Sequence, residues 1–137
     1  MRGTAREHSA VEEIERAGIE PAQADPDRVD TVLDHVGDVA VVAWLLGSAS
    51  GDPDRVAGLH GARLERVLEE LVDTPVRGFV YEGAGSIGAQ TLAEGAALVR
   101  EAAERWRIRV AVLDADPGRW QGWVRAARES VRELTGT

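Results

Sequence analysis

Two kinds of hydrophobic pattern take turns along this chain. Val11, Ile14 and Ala17 recur at helical spacing. Ser9 and Glu12 form a capping box at the start of that helix, and Gly18 can end it. Residues 19–24 predict a short strand, which Pro21 makes an edge strand or an irregular one. Asp25-Pro26 reads as a cap followed by a first-turn proline. Val29, Val32, Leu33 and Val36 supply the apolar face of the helix it opens, and Gly37-Asp38 breaks that helix. Residues 39–46 are apolar without alternation, which predicts a central parallel strand buried on both faces.

A glycine/serine loop over 47–51 leads to Asp52-Pro53, a second cap-plus-proline start. From there Val56, His60, Leu64, Val67, Leu68 and Leu71 keep helical spacing to about residue 72, and Thr74-Pro75 ends the run. Residues 76–81 predict a strand, 83–88 are glycine-rich, and Leu92, Ala96, Val99, Ala103 and Trp106 trace another helix face. Residues 108–113 predict the last strand. Asp116-Pro117 starts a final helix, with Trp120, Trp123, Val124, Ala127, Val131 and Leu134 on one stripe. Helices and strands of this length in strict alternation predict an α/β fold, about four parallel strands with helices on both faces. No linker, repeat or low-complexity tract divides residues 1–137, so a single domain is expected.

Composition narrows the chemistry. All 16 basic residues are arginine, which removes Schiff-base lysines, phosphate-loop lysines and lysine-assisted tyrosines. Without cysteine there is no disulfide, thiol nucleophile or zinc–thiolate site. Only His8, His35 and His60 are available for a histidine metal centre, and no metal site is expected. A net charge of −8 opposes phosphate backbones and anionic membranes, so neither nucleic acid nor a membrane is an expected partner. The longest apolar run, 39–46, is too short to span a bilayer. With no secretory pattern at the start, the cytoplasm is the expected compartment.

In an open parallel sheet, ligands bind outside the carboxyl ends of the strands. Those ends are expected at Ala24-Asp25, 44–50, 82–88 and 114–116, where polar and glycine residues cluster, as strand-to-helix loops also do by composition alone. Gly83-Ala84-Gly85-Ser86-Ile87-Gly88 matches the dinucleotide pattern G-x-G-x-x-G between a strand and a helix. It admits two readings: a pyrophosphate seat at a helix N-terminus, or a tight glycine turn. The acidic residue for the ribose belongs about 20 residues on. Asp114 lies farther than that, and Glu82 just before Gly83 would repel a phosphate.

His60 reads as a packing or rim histidine, with a general base as the alternative. Trp120 and Trp123 read as core or interface residues, or as a stacking platform. Trp44 fills the core or lines a pocket. Asp116 is a helix cap, or with Asp114 a divalent-ion ligand. Glu82 is a lone carboxylate with no evident paired acid.

Residues 76–85, Val-Arg-Gly-Phe-Val-Tyr-Glu-Gly-Ala-Gly, resemble the fifth strand and turn of extended or atypical short-chain dehydrogenases, the NAD-dependent epimerase/dehydratase-like Rossmann group. Residues 59–70 are similar to the helix before that strand, 108–113 to the sixth strand, and Ala24-Asp25 to the end of the third. Residues 2–6, Arg-Gly-Thr-Ala-Arg, are similar to the end of the second strand.

The resemblance implies a Rossmann-like fold and NADP or NAD as cofactor. Asp25 would contact adenine, and Arg2, Thr4 and Arg6 would stand near a 2′-phosphate. Trp44, Leu45 and Gly47, with Gly83, Ala84 and Gly85, would border the cofactor. It also implies that the family's first strand and glycine-rich turn are missing here, so that residues 39–46 would have one open edge. Three arrangements would close it: residues 19–24 pairing there, a homodimer or complementing strand from another chain, or a reading frame that starts downstream of the true start. The family's tyrosine–lysine pair is absent, since Tyr81 lies inside a strand and there is no lysine. No catalytic residue is therefore assigned. Three functions follow: an NAD(P)-binding-type domain without dehydrogenase catalysis, a structural or interaction protein with a vestigial site, or a fragment of an intact NAD(P)-dependent oxidoreductase.

Overall fold

The apolar runs become strands, and all of them run parallel. The computed structural model describes residues 1–136. Strands β1 (Arg2–Ala5) and β2 (Glu20–Gln23) pair with each other, while β3 (Val41–Trp44), β4 (Gly78–Glu82) and β5 (Arg109–Leu113) form a separate sheet in that order. Register runs from Arg2 opposite Glu20, Val41 opposite Gly78 and Gly78 opposite Arg109. The helices are α1 (His8–Arg16), α2 (Val29–Leu33), α3 (Pro53–Leu59), α4 (Ala62–Glu70), α5 (Ala89–Trp106) and α6 (Trp120–Thr135). The chain is thus α/β with parallel strands, with five strands among the described residues rather than four, in two sheets rather than one.

Side-chain contacts link the two sheets. A Cβ on Gly3 would meet Ile14 and Ile19, so that face of β1 carries α1. Arg2, one residue earlier, points the other way. Its guanidinium reaches the His35 carbonyl and Asp38, just past α2. Helices α1 and α2 therefore cover opposite faces. The polarity of the two sheets agrees. Arg2, at the start of β1, pairs with Asp38 shortly before β3, while Asp27, after β2, pairs with Arg55 and Arg63 from the helices after β3.

Strand β4 is buried at all five residues and is the central strand. One face of the three-stranded sheet carries Phe79 and Tyr81 against Leu64, Val67, Leu68 and Val99 of α4 and α5, with Val29 of α2 in the same cluster. The other carries Val80 and Leu113 against Leu134 of α6. Among the described residues no helix is long and apolar enough to cross a membrane.

Several local expectations are corrected. Of residues 39–46 only Val41–Trp44 form a strand, and it is an edge strand, with Ala43 exposed and Leu45 just beyond it 41% exposed. Val42 and Trp44 pack on the α4/α5 face, and Val41 alone packs on the α6 face. Residues 19–24 do not move beside it; they pair with β1. The capping box does not form: α1 starts at His8 with Glu7 as its N-cap, because only two residues separate it from β1 and Ser9 is already inside its first turn.

Asp25 and Asp116 bind the amide two residues on, as Asx turns, and their helices begin later, at Val29 and Trp120. Only Asp52 caps as expected, accepting from the Arg55 amide. The helix expected from 52 to 72 breaks at His60-Gly61 into α3 and α4, where Gly58 and Gly61 weaken it and the His60 ring is held from elsewhere. On α5, Ala102 takes the buried place expected of Ala103. On α6, Trp120 is 67% exposed, which removes the core half of its core-or-interface reading.

Candidate functional site

The carboxyl rim is built from three loops that interlock. The Gly47 amide donates to Glu82 Oε1 at 2.8 Å, and the Trp123 indole N–H donates to Glu82 Oε2 at 2.8 Å. Glu82 is only 4% exposed, and its two oxygens tie the loop after β3 to the start of α6. The Ile87 amide donates to the Gly47 carbonyl at 3.1 Å, and the Ser86 amide to Ser48 Oγ at 3.1 Å. A Cβ at Gly47 would fall well under 3.0 Å from the Ala84 carbonyl oxygen, and one at Gly85 equally close to the Gly47 backbone. Those two glycines serve a close crossing of two loops. Beside the crossing lies an open cleft of about 580 Å³, lined by Gly83, Ala84, Gly85, Leu92, Arg100 and Asp114 among others.

Beneath the rim, His60 and Tyr81 form a buried pair. His60 Nε2 lies 2.9 Å from the Leu46 carbonyl, which can only accept, so Nε2 carries the proton. Nδ1 then accepts from the Tyr81 hydroxyl at 2.6 Å. Burial holds the His60 pKa below its ordinary value. Burial, aided by Glu82, pushes the Tyr81 phenol up to about 12. Both shifts favour neutral rings, as a fixed-tautomer structural pair requires. His60 is thus a packing residue that joins the strand β3 exit to the central strand.

A depressed histidine pKa makes stability rise with pH between its folded value and about 6.5, where the unfolded chain takes up the proton first. Stability from this source is complete above about pH 6.5 and declines as pH falls below it, toward the folded value. His60→Gln, which can still donate to Leu46, should therefore lose less unfolding free energy than the parent between pH 7.5 and 5.5. The difference should be at most about 1.4 kcal/mol per pH unit. Urea melts at both pH values measure it, and equal losses would remove His60 from the account.

The expected cofactor residues fall into four places. Arg6, Asp25, Leu45, Gly47, Gly83, Ala84 and Gly85 lie at the carboxyl ends of the strands. Arg6 follows β1 directly, is exposed, and its guanidinium has no hydrogen bond or ion pair among the described residues. The Ala24 amide bonds the Ala5 carbonyl, which sets Arg6 and Asp25 at neighbouring strand ends. Arg2 lies at the opposite end, where its guanidinium holds Asp38 and Glu20 and keeps the Asp38 carboxyl below the usual carboxylate range. Thr4 sits between, exposed on β1. Trp44 is core: it is 4% exposed, packs on Phe79 and donates to the Leu59 carbonyl at 2.9 Å.

Trp120 and Trp123 stack at 5.5 Å with 10° between their planes. Asp116 binds the Gly118 amide. Among the described residues no group of three or more His, Asp or Glu could hold a metal ion.

Two features were missed from the sequence. Asp27 pairs with both Arg55 and Arg63 and joins the β2 exit to α3 and α4. Glu82 bridges two loops rather than standing alone. Compared with protein-family models, curated proteins and solved structures, the chain matches none of them.

Proposed function

We propose that this chain is a Rossmann-like nucleotide-binding module that supplies the adenosine side of an NAD(P) site and no hydride-transfer residues. The observation that supports the reading is a reversal of strand order: with α1 and α2 on opposite faces, right-handed crossovers send β2 and β3 to opposite sides of β1. On that order one crossover would lead outward from β1 to β2, and the others from β3 through β4 to β5, the orders found within the two separate sheets. Ligands of open parallel sheets bind at such a reversal, outside the carboxyl ends.

The residues fit a nucleotide unevenly. At the adenosine side, Arg6 offers an unengaged fork for a 2′-phosphate, and Asp25 stands at the neighbouring strand end as an acceptor for the adenine or ribose. At the pyrophosphate side, the amides of Ser86 and Ile87 are already bound to Ser48 and Gly47. The second glycine of the motif faces another loop rather than open space. This chain's own residues would therefore hold the adenosine end, while the glycine-rich loop serves as scaffold.

Calorimetric titration with NADPH, NADH, 2′,5′-ADP and 5′-AMP tests the reading. NADPH and 2′,5′-ADP should bind, and Arg6→Ala should weaken both about 10-fold while leaving NADH unchanged, the loss expected for one charge-assisted phosphate contact. Equal losses for NADPH and NADH would remove the 2′-phosphate role of Arg6. No binding of any of the four by the folded protein would sink the nucleotide reading and favour an interaction module, which the two open strand edges independently suggest.

A further inference from the structure

Helix α6 carries more apolar surface than the sheet covers. Trp123, Ala126, Ala127 and Leu134 pack on the sheet. Trp120, Val124, Ala127 and Val131, at i, i+4, i+7 and i+11, form a second stripe that shares only Ala127 with the first. Trp120 and Val131 are exposed on it, and Val124 is half-buried. One end of the stripe is held rigid. Trp120 stacks on Trp123, whose indole N–H is tied to the buried Glu82 carboxylate. An aromatic ring fixed in this way loses little freedom when a partner covers it.

Charge is arranged beside the stripe. Arg125, Arg128 and Arg132 follow the same helical spacing along the flank away from the sheet-packed residues. All three are exposed, and among the described residues none of their guanidiniums has an ion pair or a hydrogen bond. In a chain of net charge −8, three neighbouring arginines without a carboxylate are a local reversal of sign. An apolar stripe with unpaired cations along one flank matches a helix whose own apolar face is flanked by Asp and Glu.

We propose that the exposed face of α6 docks an acidic amphipathic helix of a protein partner. Its large aliphatic side chains cover Trp120, Val124 and Val131, and its carboxylates meet Arg125, Arg128 and Arg132. The other occupants fit less well. The α6 of a second copy carries its own carboxylates, Glu129 and Glu133, on the side opposite the stripe. An anionic bilayer would meet a chain of net charge −8.

The probe is an acetylated and amidated peptide of about 16 residues, built on alanine for helicity, with Leu at i, i+4, i+7 and i+11 and Glu along one flank. Binding is read by the anisotropy of a dye on the peptide. It needs no nucleotide, so its outcome is separate from that of the titrations. The peptide should bind at least about 10-fold more tightly than its counterpart with Arg in place of Glu, and its affinity should fall as salt rises from about 50 to about 300 mM. Trp120→Ala should keep the fold by circular dichroism and weaken binding about 10-fold. Should that variant not fold, Val131→Asp must produce the same loss. The double variant Arg128→Glu, Arg132→Glu should reverse the preference and hold the arginine peptide about 10-fold more tightly than the glutamate one. No binding of the glutamate peptide, equal binding of both peptides, binding unchanged in the folded stripe variant, or an unreversed preference after the charge swap would each overturn the proposal. So would a dimer in sedimentation that the stripe variant makes monomeric, which assigns the face to a second copy. Binding to phosphatidylserine vesicles that the same variant abolishes would assign it to a membrane instead.

Discussion

Gly85→Ala should destabilise the protein by about 3 kcal/mol or more, and Gly47→Ala by a similar amount. Each added Cβ meets backbone, not the end of a flexible side chain: Gly47 faces the Ala84 carbonyl, and Gly85 faces the Gly47 carbonyl. Overpacking of this kind costs roughly 1–3 kcal/mol where neighbours can shift. These neighbours are held by the Gly47–Glu82, Ile87–Gly47 and Ser86–Ser48 hydrogen bonds. Gly85 also has φ +153°, where an L side chain adds about 1–3 kcal/mol of strain. For a domain of this size the loss corresponds to a fall in Tm of about 10 °C. Thermal melts followed by circular dichroism measure it. A change within about 2 °C in both variants would mean that the loops do not cross as described.

Gly95→Ala sets propensity against packing, and packing should win. In an exposed helix interior the change gains about 1 kcal/mol. Here the new Cβ would fall well under 3.0 Å from the Tyr81 hydroxyl oxygen and 2.6 Å from Cζ. Tyr81 cannot withdraw without leaving His60 Nδ1 unpaired in the core, at about 1–3 kcal/mol, in addition to the overpacking itself. A net destabilisation of about 2–3 kcal/mol is expected. Tyr81→Phe removes the atom nearest the new Cβ, so the double variant should be more stable than the sum of the two single changes. Denaturant melts of the four proteins give that coupling energy. A stabilised Gly95→Ala variant would show that Tyr81 does not press on α5.

Much of the architecture was legible in the apolar runs. Residues 76–81 and 108–113 read as strands, and strands β4 and β5 formed there. Asp52-Pro53 read as a helix start, and Asp52 does cap α3. The two other aspartate–proline pairs look identical in sequence, yet fold as Asx turns three to four residues before their helices. A short carboxylate can bind an amide two or three residues on, and local sequence does not choose between them. Residues 39–46 failed as a central strand for a related reason. An unbroken apolar run states that both faces can be buried, but not whether both are.

The candidate site was legible as a rim and illegible as a set of contacts. The pattern G-x-G-x-x-G located a strand–turn–helix junction correctly. It could not show that Gly85 is needed because a second loop, 38 residues away at Gly47, passes against it. Likewise Arg2 and Arg6 are equivalent on paper. In the fold they sit at opposite ends of β1, one neutralised by Asp38 and Glu20 and the other open.

By itself, then, the order of residues determined the alternation of parallel strands and helices, because periodicity and turn chemistry act over a few neighbouring residues. Tertiary structure alone decided that β4 is the centre of the three-stranded sheet, that β1 and β2 pair apart from it, and that two glycines serve a loop crossing. Those outcomes depend on which distant segments come into contact, and no local pattern carries that information.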